Sequence, residues 1–206
     1  MEFFGANNDT RVLQPGQLFI VLQGARDGHD FIPAAMEKGA AAVLCSRKVG
    51  DYPAIYVEDP RTALGEIAKE EIRRCDELNR LYGLTLTEDD ITELVHLRGE
   101  ALRNTGRVEF GGGILPKLIR AFCKSPYVGS FNYAQTLGEL QDAFYYFKNE
   151  SGDIFSDDEL IEFMERVFNG RAEGSAELLC TISLEDLCRW ARDPFADRYS
   201  EKEDLY

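Results

Sequence analysis

Asp9-Thr10-Arg11-Val12-Leu13-Gln14-Pro15-Gly16-Gln17-Leu18-Phe19-Ile20-Val21-Leu22, followed by Gln23-Gly24-Ala25-Arg26-Asp27-Gly28-His29-Asp30-Phe31-Ile32, decides how the first third of the chain folds. It reads as a polar triplet, a Pro-Gly turn, an apolar run of strand length, a glycine-bounded polar loop and the start of a helix. The same grammar continues outward. Phe31 to Lys38 is a short helical segment stopped by Gly39, a C-cap residue, and Ala42-Val43-Leu44-Cys45 and Ala54-Ile55-Tyr56-Val57 are two further buried-strand runs. Pro60 opens a helix to about Arg74 with Leu64, Ile67 and Ala68 on one face. Strands alternating with helices imply a small layered α/β domain over residues 1–75.

Residues 76–206 read as helix throughout. Thr87 precedes Glu88-Asp89-Asp90, after which Ile91, Leu94, Val95 and Leu102 recur at helical spacing. Ile114 to Cys123 and Tyr133 to Phe147 fill the middle, the second with Leu137, Leu140, Phe144 and Phe147 on one stripe. Ser156-Asp157-Asp158-Glu159 is a capping box ahead of an apolar stripe that ends near Gly170. Ser183-Leu184-Glu185-Asp186 begins or interrupts a last helix through Trp190, and the charged tail after Pro194 is expected to fray. The expected fold class is α+β overall, a small α/β domain followed by an all-α helical bundle of five helices.

Charge narrows the function. The chain has 23 Lys and Arg against 37 Asp and Glu, a net charge of −14, and the excess acid lies after Cys75, where 14 basic residues face 26 acidic ones. Such a balance offers no general attraction to phosphate backbones or anionic lipid, so no nucleic acid is expected as a partner. No run approaches the roughly 20 apolar residues that span a bilayer, and Met1 to Gly5 lacks the pattern of a signal peptide. The expectation is therefore a cytoplasmic protein without membrane insertion. The five cysteines, Cys45, Cys75, Cys123, Cys180 and Cys188, form no C-x-x-C pair and the chain has only two histidines, so they read as reduced small apolar residues and neither a metal nor a cofactor is expected.

On composition alone the stretch from Asp9 to Ile32 is turn chemistry. Its order and spacing say more. D-T-R-x-x-x-P-G-x-L-F, then G-x-x-D-G-H-D-F-I, A-x-x-K-G-A-A-A-V and V-E-D-x-x-x-A-L-G-x-I-A, resembles the N-terminal domain of Mur ligases, most of all those that add the third residue and D-alanyl-D-alanine to UDP-N-acetylmuramoyl peptides. In that family this domain holds the uridine diphosphate end of the substrate. The resemblance, from Asp9 to Ala68, therefore implies a ligand site of Thr10, Arg11, Gly24, Ala25, Arg26, Asp27, Gly28 and His29. Arg11 would neutralise diphosphate charge, while Thr10 and the backbone of Gly24 to His29 would fix uracil and ribose.

The ATP-binding signature of such ligases is missing, since Gly111-Gly112-Gly113 ahead of Ile114-Leu115-Pro116-Lys117 does not meet the G-x-x-x-x-G-K-[ST] spacing. The glycines read as a hinge or a tight helix entry. From about Leu78 to Arg192, Thr105 to Leu115, Ala121 to Tyr127 and Glu139 to Ser151 resemble an uncharacterised group of small bacterial helical proteins, which brings no function with it.

Other candidates have plainer explanations. Asn149, Ser151 and Asp153 alternate like a calcium loop but lack its glycine and closing Glu, as a helix connector would. Glu139, Asp142, Glu150, Asp157, Asp158, Glu159 and Glu162 could pair for acid–base work, yet they also fit a solvated helix face. Arg107 and Glu109 fit a local ion pair, His96 a structural role, and Tyr145, Tyr146 and Phe147 a core with one ring at the surface. The sequence thus points to a non-catalytic binding or regulatory protein for a UDP-sugar peptide, with the helical domain meeting a protein partner. The alternatives are an interaction scaffold whose first domain has lost its ligand and, behind it, an enzyme around Arg107, Glu109 and the glycines.

Overall fold

The computed structural model describes Phe3 and residues 5–23, 26–105 and 109–192. The chain divides into two compact units, Met1–Glu70 with Glu109–Gly113, and Glu71–Val108 with Ile114–Tyr206.

In the first unit four strands, β1 (Ala6–Asn7), β2 (Leu18–Ile20), β3 (Ala42–Cys45) and β4 (Ala54–Tyr56), form one parallel sheet in sequence order. Leu18 pairs with Ala6 on one side and Ala42 on the other, and Val43 pairs with Ala54. Alternate residues point to opposite faces. Phe19, Val21, Val43 and Cys45 pack with Ile32 and Ala35 of helix α1 (Ile32–Glu37) and with Leu13. Leu18, Ile20, Ala42 and Leu44 face Ala63 and Leu64 of helix α2 (Pro60–Asn79), with Phe110 against the same cluster. Both faces are covered, which is why β2 and β3 read as unbroken apolar runs instead of an alternating pattern.

The structure adjusts several sequence boundaries. The polar loop enters α1 through a 3-10 turn, Gly28–Phe31, because Asp27 caps that tighter turn with its side chain. Gly39 adopts φ +89°, the left-handed geometry expected of a glycine that stops a helix. Helix α2 continues past Arg74 to Asn79, carried by buried Ala68, Ile72, Cys75 and Asn79 at helical spacing. Ile67, assigned to the apolar face from sequence, is 40% exposed, since the stripe turns through Ala68 instead. Strand β1 gave no apolar signal in sequence.

The second unit holds the end of α2 and helices α3 (Glu88–Thr105), α4 (Leu115–Phe122), α5 (Tyr133–Glu150), α6 (Asp157–Asn169) and α7 (Ala176–Arg192). Helix α5 is central, packing on α3, α4, α6 and α7, so its Leu137, Leu140, Phe144 and Phe147 are all buried. Phe122 meets Phe168 edge to face at 5.4 Å between ring centroids. A buried polar knot completes the core: Asn79 donates to the Tyr133 hydroxyl at 2.8 Å and Asp76 accepts the Leu86 N–H at 3.0 Å. Burial pushes the Asp76 carboxyl up from its ordinary value.

Helix α7 starts at Ala176, not Ser183, which lies in mid-helix and is fully buried. Its start is marked by Ser175, whose hydroxyl accepts the Leu178 N–H. His96 is exposed on α3 and has no place in the core. No helix among the described residues is long and apolar enough to cross a membrane. Trp190's side chain and the tail after Pro194 lie outside the described residues.

Candidate functional site

In an open parallel sheet the loops leaving the carboxyl ends of the strands gather along one edge, which is where such folds receive ligands. Here those segments are residues 8–11 after β1, 21–29 after β2, 46–47 after β3 and 57–61 after β4. The chemistry concentrates on the second.

Asp27 is its hub. Its Oδ1 accepts the His29 N–H at 3.0 Å, capping the 3-10 turn, and the His29 Nδ1–H at 2.7 Å. Its Oδ2 accepts from Arg47 Nη2 at 2.6 Å, which ties the loop after β3 to the loop after β2. The His29 N–H and ring, with the Arg47 guanidinium, hold the Asp27 carboxyl well below the usual carboxylate range. A carboxylate only accepts, so His29 Nδ1 is the donor in this pair. His29 is 2% exposed and its Nε2 is buried with no hydrogen-bond partner.

Gly28 sits so close to Leu22 that a Cβ there would fall 2.4 Å from the Leu22 carbonyl oxygen; only glycine lets the turn pack down on the strand end. Gln23 and Asp27 are joined by an antiparallel bridge that closes the loop, and Arg26 projects into solvent. Gly24 and Ala25, which belong to the sequence-derived site, lie outside the described residues.

A third segment joins from the start of α2. Arg61 Nη2 donates to the Gln23 carbonyl at 3.3 Å. Its neighbour Asp59 caps α2 by accepting from the Arg61 and Thr62 N–H groups and from the Thr62 hydroxyl, and that hydroxyl leads the lowering of its pKa.

Thr10 and Arg11 are arranged differently. Thr10 lies half-buried in a turn in which Val12 and Leu13 donate to the Asp9 carbonyl. Arg11 Nε and Nη2 grip the Asp9 carboxylate at 3.0 and 2.7 Å, and this bond holds Asp9 at about 2. The Arg11 side chain is 87% exposed, and Lys38 Nζ donates to its carbonyl at 3.2 Å. Among the described residues no hydrogen bond or ion pair links this group to the Asp27 cluster. The structure therefore brings Asp27, Gly28 and His29 together with Arg47 and Arg61, and sets Thr10 and Arg11 apart as a local motif. Arg47 and Arg61 were missed in the sequence, although Cys45-Ser46-Arg47 and Asp59-Pro60-Arg61 each follow a strand's carboxyl end.

The helical unit offers a cleft of 520 Å³ between α5 and α7, lined by Glu139, Asp142, Tyr146, Ser175, Glu177 and Cys180 among others. Burial and then the Glu100 charge push the Asp142 carboxyl up, and burial and then Asp142 push up the Cys180 thiol. No group of three or more His, Cys, Asp or Glu among the described residues is arranged to hold a metal ion. Other carboxylates from the sequence reading have partners: Asp157 and Asp158 pair with Lys117, and Glu159 completes the capping box with Ser156. Tyr145 and Phe147 are buried while Tyr146 is 41% exposed. Arg107 lies outside the described residues, and Glu109 is half-buried.

Comparison with known proteins follows the same division. Residues 71–197 match a family of unknown function, DUF6323, and residues 5–72 match the Mur ligase family, catalytic domain. The chain is similar to the UDP-N-acetylmuramoyl-L-alanyl-D-glutamate--2,6-diaminopimelate ligase of Bacteroides thetaiotaomicron, 37% identical over 97 residues, 45% of this chain and 20% of that protein. It is similar to the UDP-N-acetylmuramoyl-tripeptide--D-alanyl-D-alanine ligase of Bacillus subtilis, 39% identical over 99 residues, 45% of this chain and 21% of that protein. The chain thus spans about a fifth of the length of these relatives. A crystal structure of the MurF ligase from Thermotoga maritima in complex with ADP aligns with TM-score 0.31 and 32% identity, covering 32% of this chain and 16% of that one.

Proposed function

The chain belongs to the DUF6323 family of unknown function and carries a Mur ligase-like domain ahead of that match, and from this premise we propose that it is a non-catalytic cytoplasmic protein that binds a UDP-N-acetylmuramoyl peptide and passes its presence to a protein partner through the helical unit. The observation that carries this reading is the convergence of three loops, through Asp27, Arg47, Gln23 and Arg61, on the carboxyl edge of the sheet within the Mur-like segment. Relatives of that segment are named as ligases of UDP-N-acetylmuramoyl peptides. The sequence carries no G-x-x-x-x-G-K-[ST] loop, so the reading assigns it recognition without the ATP-driven step.

Titration calorimetry with UDP-N-acetylmuramoyl tripeptide tests it. The expected result is saturable heat at one site, competed by UDP; no heat and no competition would contradict it. A second reading, an interaction scaffold, draws on Phe131 and Leu81 of the helical unit, 90% and 89% exposed. The two part on the same measurement, because the scaffold expects no nucleotide heat.

A further inference from the structure

We propose that Arg47 and Arg61, rather than Arg11, are the cations that grip the diphosphate of the nucleotide, and that Arg47 does so by leaving Asp27. The inference rests on the nucleotide-binding reading of this sheet edge and assigns its charge chemistry.

A guanidinium presents five N–H donors in a rigid fork, and what matters is how much of the fork is already committed. Arg11 uses both Nε and Nη2 on the carboxylate of Asp9, two residues away. A phosphate would have to displace a bidentate partner that stays beside it in the chain. Arg47 engages Asp27 through Nη2, and Arg61 engages a neutral carbonyl through Nη2. Both come from different strand ends, 20 and 38 residues from the groups they touch. Two forks on separate segments, one on Asp27 and one on the Gln23 carbonyl of the same loop, supply the planar donors that bind phosphate groups.

Asp27 makes the exchange feasible. When Arg47 turns to a phosphate, Asp27 still accepts the His29 N–H and Nδ1–H through Oδ1, so the 3-10 turn keeps its cap. Asp59, a further carboxylate at this edge, is already spent on the first turn of α2. His29 adds an independent sign of an unfinished site, since its Nε2 is buried with no hydrogen-bond partner.

Calorimetric affinities for UDP and for uridine, compared across variants, test the assignment. Arg47→Ala and Arg61→Ala should each weaken UDP binding tenfold or more and leave uridine binding within threefold, while Arg11→Ala leaves both within threefold. Asp27→Asn separates a phosphate ligand from a structural tie: a released Arg47 keeps or improves UDP affinity, whereas if the pair only braces the loop Asp27→Asn weakens UDP as much as Arg47→Ala. Loss of the UDP preference in Arg11→Ala but not in Arg47→Ala or Arg61→Ala overturns the inference and leaves nucleotide binding standing. Failure of the wild-type protein to bind UDP, uridine or the UDP-sugar peptide overturns both. Thermal melting of each variant guards against reading misfolding as lost affinity.

Discussion

Asp27 takes hydrogen bonds from the His29 N–H, the His29 ring and Arg47, so its carboxyl titrates below its unfolded value of 3.8. A group with a depressed folded pKa stabilises the fold above its unfolded pKa and loses that contribution as pH falls through the folded value. Urea midpoints of the first unit's transition should therefore hold steady from neutral pH to about pH 5 and drop below about pH 4. Asp27→Asn should start lower and show a shallower acid drop; an equally steep drop in the variant would exclude Asp27 as its source. The residue types at this loop were legible as Asp-Gly turn chemistry, but their partners were not. Nothing local in Cys45-Ser46-Arg47 says that its guanidinium crosses to Asp27, because the pairing is made by the sheet. Arg11 shows the converse: its chemistry was visible in D-T-R, yet a neighbour two residues away consumes it.

At the scale of elements, helix starts with a side-chain signal were the easiest to read. Ser156 accepts the Glu159 N–H and Glu159 accepts back from the Ser156 N–H, the reciprocal arrangement that S-x-x-E announces. Ser156→Ala should lower stability by about 1 kcal/mol in chemical denaturation, and a change indistinguishable from zero would mean that packing of Leu160, Met164 and Val167 alone sets this end of α6. Ser183-Leu184-Glu185-Asp186 carries the same kind of signal and misleads, because Cys180, Leu179 and Leu187 continue an apolar face across it. Where a cap signal and an unbroken apolar stripe conflict, burial decides. The extension of α2 to Asn79 has the same cause, with buried Ile72, Cys75 and Asn79 prolonging a helix that the sequence pattern ended at about Arg74.

For the whole molecule, the division of grammar between a first part of short apolar strand runs set between helices and a helical remainder was open in the sequence, because apolar period is a direct image of which faces are covered. The return of Glu109–Gly113 to the first unit was not, since Phe110 joins the cluster of Leu18 and Leu44 from across more than one helix of sequence. The net charge of −14 also says little about the candidate site, where Arg26, Arg47 and Arg61 sit at or beside one sheet edge of an acidic chain. Local cations can serve an anionic ligand despite the overall balance.

The most direct test is a UDP titration of uniformly 15N-labelled protein followed by amide chemical shifts. The account predicts saturable shifts concentrated at Asp27 to Phe31, Arg47 and Arg61 to Thr62; no shifts, or shifts confined to the α5–α7 cleft, would contradict it.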